Sequence, residues 1–553
     1  AGRRRRAAHP DRPGAGLPFR REVRRPPQPL SRGHLHHPGQ PRGPSRGVRA
    51  VRTGRRTPRR PPARRRSALR KAPAGRRLAL RGRPRLRQPR PPRMSSPVPE
   101  GWEVVIGLEV HMQLRTRAKV FASAPWGFGQ EPNAQVDAVV LGLPGTLPVV
   151  NREAVERAIL LGLAVGAEIP EVCAWDRKNY FYPDNPKNYQ LTQKDRPVVV
   201  GGSVEIELPG PSRNVMGEHR SIRLHHAHLE EDVGKLSHSG GGSLVDYNRA
   251  GVPLLEIVTE PDLRSAAEAE AFLRALVALA TQAGVADCDM EKGQLRCDAN
   301  VSVRRTGEAR LGTRTETKNL NSISGVRDCI LHETLRQVRE LEAGRAIVQE
   351  TRGWNAEQGR GYVLRDKEDA HDYRYFPDPD IPPLRISRAT VERLRASVPE
   401  APYDRQRRYV ERLGLPFTAA SVLIADRGLA EWFEAAVAAH PAGAPALANL
   451  VVNDLLRDLS AAVPPVPLSA CPIRPSALAG LVKLTDEGVI SKQQAKEVFA
   501  EMFRTGQEAA AIVDARGLRQ NSDTGELERI IREVVADPAV AKSIAEYRAG
   551  NEK

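Results

Sequence analysis

The chain has 553 residues and a formal net charge of +20, but the excess is confined to one end. Residues 1–93 carry 31 Lys and Arg against Asp11 and Glu22, a net of +29, so the remaining 460 residues hold 55 bases and 64 acids, a net of −9. That balance excludes a broad basic surface for nucleic acid, which needs concentrated Lys and Arg, and no apolar run reaches the roughly 18–20 residues of a membrane span.

Residues 1–93 also hold 17 of the 46 prolines and no periodic apolar pattern. Such a segment cannot bury a core and is expected to be disordered. An Arg-rich, acid-poor leader fits a transit peptide or a nucleic-acid-binding arm, although Pro26, Pro27 and Pro29 would break an amphipathic helix. The first methionine is Met94. An Arg/Pro/Gly/Ala stretch is what GC-rich upstream DNA encodes when a start is placed too early, so Met94 is the expected start. Five scattered cysteines (Cys173, Cys288, Cys297, Cys329, Cys471) form no CxxC pair. With no secretory segment, they point to a reducing, cytoplasmic location without a disulfide framework.

From about Trp102 to about Leu384 the texture is short alternating strands broken by Gly, Pro and Asn, with helices between. In VVIGLEVHMQL (104–114), Val104, Ile106, Leu108 and Val110 share one side of a strand. Glu109 and His111 share the other, about 7 Å apart. A helix is expected from Arg152 to Val165 and another from Ser265 to Ala283. Strands are expected at 203–210, 221–232, 252–262 and 293–304. This reads as α+β with a mainly antiparallel sheet. Residues 386–475 read as a helical domain: Leu429, Trp432, Phe433, Ala436 and Val437 form one apolar stripe, and Gly414 with Pro416 marks a helix stop. A Pro-rich break at 463–475 precedes a small helical module over 476–553, where Ser491 and Gln494 form a capping box ahead of Ala495, Val498, Phe499 and Met502.

Several strands repeat the oddity of the first. His226, His228 and Glu230 share one face, with Glu231 opposite. Glu256 is a lone carboxylate in VPLLEIV, Arg296, Asp298 and Asn300 alternate with apolar residues, and Glu316 and Lys318 share a face. Each strand alone reads as a wetted sheet face. Gathered on one face, Glu109, Glu230, Glu231, Glu256, Asp298 and Glu316 would repel one another unless cations sat among them. Oxygen ligands with one imidazole suit Mg²⁺, Mn²⁺ or Ca²⁺ better than zinc, and bound Mg²⁺ is the usual partner of ATP phosphates. There is no Walker A loop: Gly307 and Gly312 have the right separation, but Thr313 stands where the lysine belongs. SHSGGGSLVD (237–246) reads as a turn. No serine or cysteine nucleophile motif is present, so any ammonia used here is released elsewhere.

Seven motifs in order, VIGLEVHMQL, DRKNYFYPDNPKNYQLTQ (176–193), HLEEDVGKLSH (228–238), SLVDYNRAGVPLLEIVTEPD (243–262), GQLRCDANVSVR (293–304), TETKNLNS (315–322) and DYRYFPDPD (372–380), resemble the B subunit of the tRNA-dependent amidotransferase, the GatB family. The resemblance runs from about Trp102 to the C-terminus. It implies a heterotrimer in which an amidase is the A subunit and a small protein is the C subunit. It also implies ATP-dependent phosphorylation of Glu on tRNA(Gln) or Asp on tRNA(Asn), followed by amidation with channelled ammonia. The implied fold is a catalytic cradle (94–385), a helical domain (386–475) and a YqeY-like tail (476–553) that touches tRNA. The implied metal ligands are Glu109, His111, Glu230, Glu231, Glu256 and Glu316. Glu109, His111 and Glu231 carry catalysis with Lys178 and Lys318, and Lys178, Asp298 and Lys318 contact the nucleotide. Residues 119–139 lack the cysteines that hold zinc in some members, so no zinc is expected, and the final part of the tail is expected to be missing. Arg405, Arg407, Arg408 and Arg412 are a candidate tRNA patch. A noncatalytic tRNA-binding scaffold and a stand-alone metal-dependent hydrolase are the competing readings. The missing nucleophile and the helical tail weigh against the second of these.

Overall fold

The alternation in the first strand becomes structure directly. In a computed structural model of the chain, β1 (Trp102–Gln113) buries Val104, Ile106, Leu108, Val110 and Met112 to 1% exposure or less. Each such side chain contributes roughly 1.5–3 kcal/mol of burial, which pins the strand's register and so its other face. The structure describes residues 98–548 apart from 213, 240, 367–371 and 521–523, and the leader lies outside the described residues.

After β1 come α1 (Arg152–Ala164), β2 (Val172–Cys173), β3 (Asp176–Asn179), β4 (Tyr189–Thr192), β5 (Val199–Val200), β6 (Ser203–Glu207) and β7 (His219–Glu231). A hairpin of β8 (Lys235–Ser239) and β9 (Gly242–Asp246) takes up the Gly-rich SHSGGGSLVD segment. Then follow β10 (Pro253–Thr259), α2 (Ala266–Gln282), β11 (Leu295–Arg305), β12 (Thr315–Leu320) and α3 (Ile323–Glu342). Strands β13 (Glu350–Asn355), β14 (Arg360–Asp366), β15 (Phe376–Pro377) and β16 (Leu384–Arg385) end this sheet-rich region. Among the described residues, nine strands share one sheet in the order β14-β13-β12-β11-β1-β10-β7-β5, with β6 also on β7. Its neighbours are antiparallel except β12 with β13.

Helices α1, α2 and α3 pack against this sheet region and enclose one large core. Each starts on a side-chain cap: Asn151, Ser265 and Ser322 accept from the amides of Glu153, Glu268 and Gly325 at 2.9, 3.1 and 3.0 Å. Such caps satisfy amides that would otherwise lack partners at a helix start. α3 was not anticipated from the sequence. Its buried side includes Glu333, Thr334 and Gln337, and Glu333 accepts from Thr315 Oγ1 at 2.7 Å and from Gln337 at 2.9 Å.

The C-terminal region is helical: α4 (Arg388–Arg395), α5 (Pro402–Leu413), α6 (Phe417–Leu423), α7 (Arg427–Ala439), α8 (Ala444–Leu450), α9 (Leu456–Ala461), α10 (Pro475–Asp486), α11 (Lys492–Thr505), α12 (Ala509–Arg516), α13 (Thr524–Ala536) and α14 (Ala541–Arg548). Gly414 ends α5 at φ +66°, the left-handed conformation glycine adopts freely. The Ser491–Gln494 capping box is present at α11. A second core joins helices on both sides of the Pro-rich segment, with Leu429 and Phe433 of α7 sharing it with Leu478, Leu481 and Val482 of α10.

The arginines expected to form a tRNA patch are mostly spent in ion pairs, which corrects that expectation. Arg405 is buried against Glu400 and Glu434. Arg407 lies 2.7 Å from Glu205 of β6, and Arg408 lies 2.6 Å from Glu434. Only Arg412 of the four is left exposed. All five cysteines are unpaired, and among the described residues no helix is long and apolar enough to cross a membrane.

Candidate active site

The sheet face opposite the helices carries the polar residues, and the register sets who meets whom. Glu109 faces Asp298 of β11, His111 faces Glu256 of β10 and Arg296 of β11, and Glu256 faces His228 of β7. Five of the six predicted ligands, together with Asp298, fall into two groups. His111, Glu230 and Glu256 place one ligand atom each within 4.8 Å of one another, and so do Glu109, Asp298 and Glu316.

In the first group, His111 Nε2 lies 3.2 Å and His228 Nε2 3.7 Å from Glu256 Oε2. Burial alone would raise the Glu256 pKa, but the imidazoles of His228 and His111, with Lys178 nearby, hold it well below the usual carboxylate range. Burial likewise opposes charge on His111, and the hydrogen bond to Glu256 and its charge outweigh that and raise the pKa. Lys178 of β3 is desolvated too, yet Glu230 and Glu256 push its pKa up. Its Nζ sits 5.1 Å from the Tyr373 ring centre. Glu230 Oε2 is buried with no hydrogen-bond partner among the described residues. Behind this group His226 stacks on His228 with ring centres 5.1 Å apart. Burial, then the neighbouring imidazoles, push the His226 pKa down to about 4.

In the second group, Lys318 Nζ lies 2.9 Å from Asp298 Oδ2 and 2.6 Å from Glu316 Oε1. Burial opposes charge on Lys318, but Asp298 and Glu316 raise its pKa. A break in the β11–β12 register between Cys297 and Ala299 turns Asn319 toward Asp298, and the Asn319 amide donates to Asp298 Oδ1 at 2.8 Å. Asn319 adopts φ +59° to do so, a conformation Asn tolerates better than most residues. Glu109 has a raised pKa, first from burial and then from Glu256, with Glu316 and Asp298 adding to it against the pull of Lys318. The two groups therefore sense each other's charge.

Glu231 joins neither group. Its Oε1 accepts from Lys187 Nζ and from the Leu191 amide, the latter at 2.9 Å, as expected for a residue on the other side of the strand. Asp298 is a full member of its group. His228 and Tyr373 flank the first group without having been singled out as site residues. The HHAH run placed His228 beside Glu230, whereas Tyr373 reaches the site from a segment with no periodic signal. The donor set fits hard divalent cations: a Glu230 oxygen with no hydrogen-bond partner among the described residues, a Glu109 whose pKa is raised by burial and by neighbouring carboxylates, and one imidazole.

A family model described as the GatB/GatE catalytic domain matches residues 104–392, so it spans the sheet and both groups, and one described as the GatB domain matches residues 431–553. The chain belongs to the GatB family. It is 54% identical over 453 residues to a protein of Opitutus terrae named as the B subunit of aspartyl/glutamyl-tRNA(Asn/Gln) amidotransferase, covering 82% of this chain and 93% of the relative. Proteins of the same name from Persephonella marina and Burkholderia multivorans are 46% and 49% identical, with coverage of 82% of this chain and 93% of each relative. The GatB domain match covers the helical end of the chain.

Proposed function

We infer that this chain is the transamidating member of a tRNA-dependent amidotransferase, a ligase acting on Glu-tRNA(Gln), Asp-tRNA(Asn) or both. The observation that carries this is the pair of cation-ready groups side by side on one sheet face, each next to a half-buried lysine. In the reaction, a side-chain carboxylate oxygen on the mischarged tRNA attacks the γ-phosphorus of ATP and ADP leaves. Ammonia then attacks the acyl phosphate carbonyl, inorganic phosphate departs, a proton is lost and the amide remains.

Such phosphoryl transfer is mostly positioning and charge neutralisation. We assign Glu109, His111, Glu230, Glu256, Asp298 and Glu316 to holding Mg²⁺, with Glu231 outside the ligand set. Mg²⁺ bound there would neutralise phosphate charge and orient the reacting oxygens. Lys178 and Lys318, both kept charged by neighbouring carboxylates, contact the phosphates. Glu256 orients the His111 imidazole, which would bind a cation in its neutral form. The sheet-rich part, 94–385, acts as the catalytic cradle. Residues 386–475 form a helical domain and 476–553 a YqeY-like tail for tRNA. An amidase, as the A subunit, supplies ammonia in a cytoplasmic heterotrimer completed by a small third protein, the C subunit.

The test uses the purified heterotrimer with mischarged tRNA, glutamine, ATP and Mg²⁺. Glu256→Gln is expected to abolish tRNA-dependent ATP hydrolysis and amide formation while the glutaminase activity of the amidase persists. Undiminished amide formation would overturn the assignment and leave the scaffold reading.

A further inference from the structure

Where the helical region meets the sheet, packing leaves a space. A cavity of about 800 Å³ lies between α2, the outer strands β6 and β7, and helices α5 and α6. Part of its wall is apolar, with Ala275, Ala278 and Leu279 from α2 and Pro402 and Ile424 from the helical region. The polar part follows from strand alternation. Val204 and Ile206 of β6 enter the core, so Ser203, Glu205 and Glu207 take the outer side, and Ser221 and His219 of β7 pair beside Glu205 and Glu207.

The cations of this lining are already engaged. Arg220 lies 2.8 Å from Glu218 and 3.0 Å from Glu268, and Arg274 lies 2.8 Å from Glu270. Glu205 is engaged too, 2.7 Å from Arg407 and 2.8 Å from His219 Nδ1. What is left over accepts. Glu207 has no ion-pair partner among the described residues and holds only the Gly217 amide, at 3.3 Å. A carboxylate only accepts, so His219 Nδ1 carries the proton toward Glu205. Its Nε2, buried with no partner among the described residues, is an acceptor in the neutral ring. Gln406 is 1% exposed. Its Nε2 donates to Ser421 Oγ at 2.8 Å, whereas its Oε1 has no partner among the described residues.

We propose that this cavity binds a linear aliphatic polyamine, with ammonium groups at Glu207 and Gln406 and methylenes along Ala275, Ala278 and Leu279. Each leftover acceptor then meets an N–H donor, and the unmatched Glu207 meets a positive charge. Glu207 and Gln406 stand on different elements, β6 and α5, so the ligand needs donors at two ends with an apolar body between them. Tyr403 adds an aromatic ring to the wall, its centre 5.3 Å from that of His219, and such rings attract ammonium groups. A phosphate-bearing ligand would meet an unmatched carboxylate and no unpaired guanidinium in the lining. The volume lies within the roughly 300–1,000 Å³ of small-molecule sites. Because α2 and β6 belong to the sheet region and α5 and α6 to the helical region, the bound amine ties the two together across a seam that the Glu205–Arg407 pair already bridges. No residue of either acidic group takes part, so the site is independent of the transamidase reading.

The experiment titrates spermidine, and butylamine as a single-ammonium probe, into the purified heterotrimer by calorimetry, with neither tRNA nor ATP present. Deuterium exchange over residues 402–413 reports occupancy at α5. The wild type is expected to bind spermidine saturably and butylamine about tenfold more weakly, with α5 gaining protection on spermidine addition. Glu207→Gln should weaken spermidine about tenfold, the loss of one charge-assisted hydrogen bond, while melting with the wild type when no amine is present. Ala278→Trp, which fills the cavity from α2, should abolish binding. A wild type that does not bind spermidine, or two variants that both keep its affinity, overturns the proposal whether or not the complex makes amides. Spermidine binding that leaves α5 exchange unchanged, or butylamine binding as tightly as spermidine, overturns it as well.

Discussion

The two acidic groups use similar residues under opposite charge conditions. Around the first, Glu230 and Glu256 sit beside Lys178, His111 and His228, so their charge is better matched. Around the second, three carboxylates share one lysine, and Glu109 responds with a raised pKa. The first group is organised by its own hydrogen bonds. The second stays short of positive charge until a cation arrives. An acidic cluster therefore reports a cation site only after its internal counter-charges are counted.

The largest test of that distinction is Glu109→Gln. Losing a charge from the cation-short group is expected to cut tRNA-dependent amidation about 10²–10³-fold and to weaken Mg²⁺ binding measured by titration calorimetry. His111→Gln in the first group should weaken Mg²⁺ binding much less. Equal losses would break the comparison. A second test is the pH dependence of stability after chelation. The raised His111 pKa contributes stability that is complete below its unfolded value of 6.5 and is lost as pH rises through the folded value. Glu109, raised above 4.5, likewise favours the fold on the acid side, and its contribution is lost as pH climbs. Glu256, lowered from 4.5, works oppositely, and its contribution disappears only in strong acid. Chelated protein should therefore melt lower at pH 8 than at pH 5.5, with each kcal/mol read as about 2–4 °C. Mg²⁺ should recover the second group's share, and His111→Gln should flatten the slope. The smallest expected effect is Glu231→Gln. That residue lies outside both groups, so Mg²⁺ affinity should stay within about twofold, and a loss like that of Glu109→Gln would return Glu231 to the ligand set.

Much of this arrangement was legible in the sequence because strand alternation fixes which residues share a face. Glu109 with His111, and Glu316 with Lys318, followed from period two alone, and the cap at Ser491 followed from its spacing to Gln494. The division into two groups did not follow. It depends on pairing partners more than a hundred residues apart and on the register break beside Asp298, and neither has a local signal. α3 was missed because buried Glu333 and Gln337 interrupt its apolar period while pairing with Thr315 across the core. The arginine run of α5 looked like a free patch because Glu205, Glu400 and Glu434, its partners, lie outside the run.

The pairing of β1 also sets a timetable. Its neighbours on either side are β10 and β11, and full pairing with β11 requires Arg305. At about 5–20 residues per second, a ribosome needs roughly 10–40 seconds to travel from the end of β1 to that point. During that interval a strand whose apolar side is destined for complete burial waits without its β11 partner, exposed to wrong ones. The first acidic group draws only on β1, β7 and β10, but the second needs Asp298 and Glu316 and cannot exist before the wait is over. Nascent chains stalled short of β11 should depend on chaperones and lack the second group's share of divalent-cation binding.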